Sequence, residues 1–133
     1  MDVAALVLWL ITAVGGFTMA GIWLVNAGPA QYTDGHSRLS PARVGSHFAF
    51  AVLGLALWIV HVATDNTPTG WVALAVLPIV AVIGLLMVMT WLAGRGATTS
   101  VESAEQKFPA LVVAAHGLFA VLTVLGVLAA LLT

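Results

Sequence analysis

Four apolar runs, each long enough to cross a bilayer, alternate with polar connectors along this chain, and little else in it is long enough to fold separately. A bilayer core of about 30 Å needs roughly 20 consecutive apolar residues per helix. The runs are expected at about 3–26, 41–64, 71–92 and 108–133. Charged residues make up 7% of the 133 positions and hydrophobic ones 62%, whereas a soluble domain carries about 25% charge. The expected fold is therefore all-α, an integral membrane four-helix bundle of up-down topology, in one domain with no soluble portion. Lipid leaves a spanning backbone only closed hydrogen-bonding solutions, and runs of this length select the helix.

Composition excludes several functions. With no cysteine, disulfides, thiolate metal sites, iron–sulfur clusters and c-type haem attachment drop out. A net charge of -1 without a basic patch argues against a nucleic-acid partner. Asp2 stands where a signal peptide would carry positive charge, and the first apolar run is too long for such a leader. It reads as a retained first span. Within that span Gly16 and Ala20 have the spacing of closely packed membrane helices, which also suits a bulky cofactor.

The connectors give an orientation. Arg38, Arg43, Arg95 and Lys107, all the lysines and arginines present, fall in or beside the first and third connectors. By the positive-inside rule, connectors 27–40 and 93–107 are cytoplasmic and both termini lie outside, across a plasma membrane. Ser40 and Pro41 read as N-cap and first residue of the second span. Asp65–Gly70 reads as a tight polar turn, making spans two and three an antiparallel hairpin. His36, beside Gly35 in the first connector, reads as a solvated loop residue.

Ionisable side chains inside a span are costly and mark candidate functional sites. The second span holds two, His47 and His61. Fourteen residues apart, just under four helical turns, they share one stripe, with Gly54 midway as a gap and a candidate cofactor-binding position. The last span holds His116. His47 follows Pro41 by six residues and His116 follows Pro109 by seven, so both lie roughly 10 Å into parallel spans. Met19, Met87 and Met89 fall near the same depth and read mainly as core filler. Two imidazoles at matched depth suit a haem iron bound axially from both sides. Arg43, one turn towards the cytoplasm from His47, and Lys107 are candidate propionate partners.

The strip His47, Gly54, His61 resembles that of transmembrane b-type cytochromes, whose four-helix cores carry histidines 13 or 14 apart with small residues between, facing matching histidines on another helix. The resemblance implies one haem b between His47 and His116. A second ligand on the last span would fall near position 130, which is Ala130, so His61 is left as a possible second site or an interfacial residue near a quinone.

The leading expectation is thus a small haem-b electron-transfer protein, exchanging electrons with a quinone or a redox partner subunit in the lipid. An accessory subunit of a larger respiratory-type membrane complex, with no cofactor of its own, is the alternative. A homo-oligomer fits either. A small transporter or channel fits less well, because no span contains Asp or Glu to carry a proton or cation.

Overall fold

The computed structural model describes residues 1–95 and 101–133. Among them the chain is all α-helical, with four long apolar helices. These are α1 (Asp2–Val25), α3 (Pro41–Thr64), α4 (Thr67–Gly94) and α5 (Ala110–Leu132); α2 (Gly28–Thr33) is a short helix in the first connector. A 3-10 turn, Ala104–Lys107, precedes α5. Each long helix is long and apolar enough to cross a membrane.

Helix ends follow local chemistry. Ser40 caps α3, its hydroxyl accepting from the Arg43 amide at 3.2 Å, and Pro41 opens the helix. The expected polar turn at Asp65–Gly70 is shorter in the structure. Asp65 turns the chain with φ of 51°, and Asn66 caps α4 by accepting from the Thr69 amide. Thr67 to Gly70 therefore join the helix, four residues ahead of the expected start at Trp71. An asparagine cap with proline in the first turn outweighs the turn propensity of the same residues. Pro78, inside α4, removes one donor from that helix's ladder.

The long helices pack as two close pairs, α1 with α5 and α3 with α4. Weaker contacts join α1 to α3 and α4 to α5, whereas α3 and α5 lie diagonally opposite with no backbone contact. Ala5 lies by Gly126 and Gly15 by His116 in one pair; Gly70 lies by His61 and Gly84 by His47 in the other. Two apolar clusters hold the pairs together. One joins Ala5, Trp9, Trp58, Ala73, Leu77 and Val127, and the Trp58 indole donates to the Asp2 carbonyl at 3.2 Å. The other sits at the opposite end, where Trp23, Leu39 and Ala104 gather Val44, Met87 and Phe108.

Gly28 shows how tightly the second cluster is closed. A β-carbon there would fall 2.2 Å from Nε1 of Trp23 and 2.5 Å from its Cδ1. Trp23 is 3% exposed and has nowhere to retreat. Gly28→Ala is expected to destabilise the protein by about 1–3 kcal/mol through overpacking. A lowered thermal midpoint in detergent would register it, with Gly21→Ala, which meets nothing within 4 Å, as the neutral control.

Candidate functional site

His47 and His116 reach each other from the diagonally opposed helices. Their ring centroids are 6.3 Å apart and the planes are inclined at 61°. Both side chains are half-buried.

Each ring is seated in the same way on the helix beside it. The His47 ring packs on Gly84 of α4, where an added β-carbon would lie 3.0 Å from its Cε1. Its Nδ1 is 3.1 Å from the Val80 carbonyl. The His116 ring packs on Gly15 and Gly16 of α1, where an added β-carbon would lie 3.3 Å from its Nδ1 at the first and 3.2 Å from its Cε1 at the second. Its Nδ1 is 2.8 Å from the Thr12 carbonyl. In both cases the accepting carbonyl lies four residues before a glycine that the ring covers, Val80 before Gly84 and Thr12 before Gly16. A helical carbonyl already accepts from the amide four residues on. The missing side chain at that position lets an imidazole approach and share it.

The hydrogen bonds set the tautomer. A carbonyl only accepts, so each Nδ1 must carry a hydrogen. In a neutral ring the Nε2 lone pair is then left free, which is the arrangement found for metal-ligating histidines buttressed by a backbone carbonyl. A metal–imidazole bond of about 2 Å on each side needs ring centres about 6 Å apart, in keeping with the observed separation. Among the described residues no cluster of three or more His, Cys, Asp or Glu side chains forms around the pair. Two imidazoles alone bind a bare transition ion weakly; they fit an ion whose remaining positions come with the cofactor, and haem iron is such an ion.

The other expected site residues have partners of their own. Gly54 is closed by Trp9, whose ring would lie 3.0 Å from a β-carbon there, with Val76 at 3.3 Å. It therefore seats a tryptophan beneath the histidine layer. Arg43 donates through Nη1 to the Thr90 hydroxyl at 3.1 Å, and Lys107 donates to the Asn26 side-chain oxygen at 2.7 Å. His61 is buried well away from the pair. Its Nδ1 is 3.0 Å from the Asn66 carbonyl, and its ring lies 4.7 Å from that of Trp58. It ties the end of α3 to the start of α4. Of the methionines near the histidine depth, Met87 packs into the cluster around Trp23 and Met89 is exposed.

Two features escaped the sequence reading. Gly84 was hidden in a span without titratable groups, although its isolated position in a β-branched run, at the depth of His47, is a usable signal. Phe17 and Phe48 meet edge to face at 5.5 Å and bridge α1 and α3 beside the histidines. Outside, an apolar groove of about 240 Å³ between α1 and α5 is lined by Gly15, Thr18, Phe119 and His116, so this histidine is approached from the outer face of the helix pair. No protein-family model, curated protein or solved structure matches the chain, and the functional reading rests on the chemistry of these side chains.

Proposed function

We propose that the protein is a membrane haem-b-binding electron-transfer protein in which His47 and His116 are the two axial ligands. The observation that carries this reading is the juxtaposition of two imidazoles, 6.3 Å apart, each with Nδ1 committed to a backbone carbonyl. Haem iron so ligated supplies one-electron exchange without a change of ligands. The protein's own part is to fix both rings in one tautomer before any cofactor arrives. Gly15, Gly16 and Gly84 admit the rings to the neighbouring backbones, and the Trp9 and Trp58 cluster closes the outward side.

The membrane setting belongs to the same proposal. Only 11–17% of each helix's most apolar stretch is buried inside the protein. Large side chains such as Val14, Val82, Leu85, Leu111 and Leu118 are exposed. Lipid is the solvent that makes such a surface stable. The residue pairs that α1 shares with α5, and α3 with α4, support an up-down alternation. Arg38, Arg43, Arg95 and Lys107 then put connectors 27–40 and 93–107 in the cytoplasm and both termini outside. A quinone or a redox subunit would be the electron partner, reaching the haem through the lipid phase.

The test is an absorption spectrum of the detergent-solubilised protein, produced with ample haem, before and after dithionite. A Soret band that sharpens and shifts on reduction, with resolved α and β bands, is the expected result. Colourless protein that also takes up no added haemin rules the reading out and leaves an accessory helix subunit in its place.

A further inference from the structure

Outside the apolar helices, the described connector residues form a polar cleft of about 370 Å³, bordered by His36, Arg38, Arg95, Glu102, Gln106 and Phe108. It sits between the first connector, the end of α4 and the approach to α5. Its size lies at the lower end of the range for organic ligands and exceeds what a single water-sized ion fills.

The two arginines are held by one helix end. Arg95 lies with its guanidinium 4.7 Å from the centroid of the Trp91 ring. Arg38 reaches the Ala93 carbonyl through Nη1 at 3.5 Å. Neither is paired with a carboxylate among the described residues. Two of the chain's four basic side chains thus border one cleft, with an imidazole beside them. A guanidinium has five donors, so most of the donors of both remain available. The nearby carboxylate of Glu105 does not quench them, because both its oxygens are turned inward onto Ser37 and the Arg38 amide. Glu102 is exposed.

We infer that this cleft binds a phosphate group, with Arg38 and Arg95 as its principal ligands. Guanidinium forks match phosphate oxygens in geometry and charge better than any other side chain. His36 adds a further donor, and Phe108, at the margin towards α5, offers an apolar surface to whatever carries the phosphate. A lipid headgroup at the membrane surface and a soluble phosphate ester present the same chemistry. The site is independent of the histidine pair and stands whether or not haem is bound there.

The experiment uses the full-length protein in a neutral detergent. Retention of phosphatidylglycerol and of phosphatidylcholine is measured by native mass spectrometry, and binding of inorganic phosphate by calorimetry. Specific retention of phosphatidylglycerol over phosphatidylcholine, undiminished by phosphate, assigns a headgroup. Binding of inorganic phosphate that displaces phosphatidylglycerol assigns a soluble phosphate source. In either case Arg38→Gln with Arg95→Gln should weaken binding at least about tenfold, and Lys107→Gln, outside the cleft, should not. Glu102→Gln removes the one acidic side chain among the described residues that border the cleft and should tighten binding, a gain that misfolding cannot mimic. The inference is overturned if neither probe binds, if the double arginine variant binds as the parent does, or if Lys107→Gln costs as much as the arginines do.

Discussion

Replacing either His47 or His116 by alanine is expected to remove haem from the purified protein while leaving its helices in place. Each substitution deletes one of the two proposed axial donors, and no neighbouring His, Cys, Asp or Glu cluster is at hand to substitute among the described residues. The backbone does not suffer in the same degree. The Val80 and Thr12 carbonyls freed by the change keep their ordinary helical partners. What is lost to folding is mainly the contact between ring and glycine. Haem per protein should fall more than about tenfold, the effect of losing one strong metal–ligand bond, with helical content by circular dichroism unchanged. Gly84→Val sharpens the test, because it leaves both imidazoles in the sequence. A β-carbon alone would come within 3.0 Å of the His47 ring, so valine must push the ring off the Val80 carbonyl. Haem retention should drop and the Soret position should move. His61→Ala is the contrasting variant. Its ring serves the junction of α3 and α4 through Asn66 and Trp58, so it should lower the thermal midpoint yet leave the spectrum as it was. Full haem occupancy in His47→Ala or His116→Ala would remove the proposed ligands from consideration.

How much of this was readable in advance divides along physical lines. The four apolar helices were legible because lipid-crossing length and the near absence of charge constrain each run by itself, without reference to neighbours. The α3 limits were legible for the same reason, since Ser40 and Pro41 are local signals. The start of α4 was misjudged because Asn66, Thr67 and Pro68 encode a turn and a helix cap with the same letters. That His47 and His116 stand at one level of the bundle was legible from the helical rise alone. What periodicity could not supply was the neighbour of each stripe. Gly54 lies on the His47 stripe and looked like space, but α1 brings Trp9 to it. The glycine that does admit the His47 ring is Gly84, on the partner helix, and only the packing of α3 on α4 identifies it. His61 shared the stripe of His47, yet the cap at Asn66 turned it into a junction residue.

Removal of the Glu105 carboxylate is expected to have the largest effect on stability of any single change outside the helices. Glu105 is 1% exposed, and its two oxygens each take one donor, Oε2 from the Ser37 hydroxyl at 2.7 Å and Oε1 from the Arg38 amide at 2.8 Å. Ser37 Oγ in turn accepts from the Leu39 amide at 3.3 Å. A second tie runs the other way, from the Ala104 amide to the Gln31 side chain at 2.7 Å. Together these bonds fasten the first connector to the third. Hydrogen bonds to a charged acceptor contribute about 1.5–3 kcal/mol each, and an orphaned buried donor adds its own penalty. Glu105→Ala should therefore cost about 3 kcal/mol or more, whereas Glu105→Gln, which keeps the shape and one acceptor oxygen, should cost about half as much. Ser37→Ala combined with Glu105→Ala should cost less than the sum of the two, since they share a bond. Thermal midpoints in detergent and the exchange rate of the Arg38 amide report both effects. The consequence reaches the histidines, because Leu39 leads into the Ser40 cap of α3 and Ala104 leads into α5, and both pack on Trp23. The tie thus fixes the relative heights of the two helices that carry His47 and His116. Haem should be lost from Glu105→Ala at a lower temperature than from the parent, by an amount that tracks the fall in thermal midpoint. A variant that melts early but releases haem only at the parent's temperature would show that the connectors do not set the histidine register.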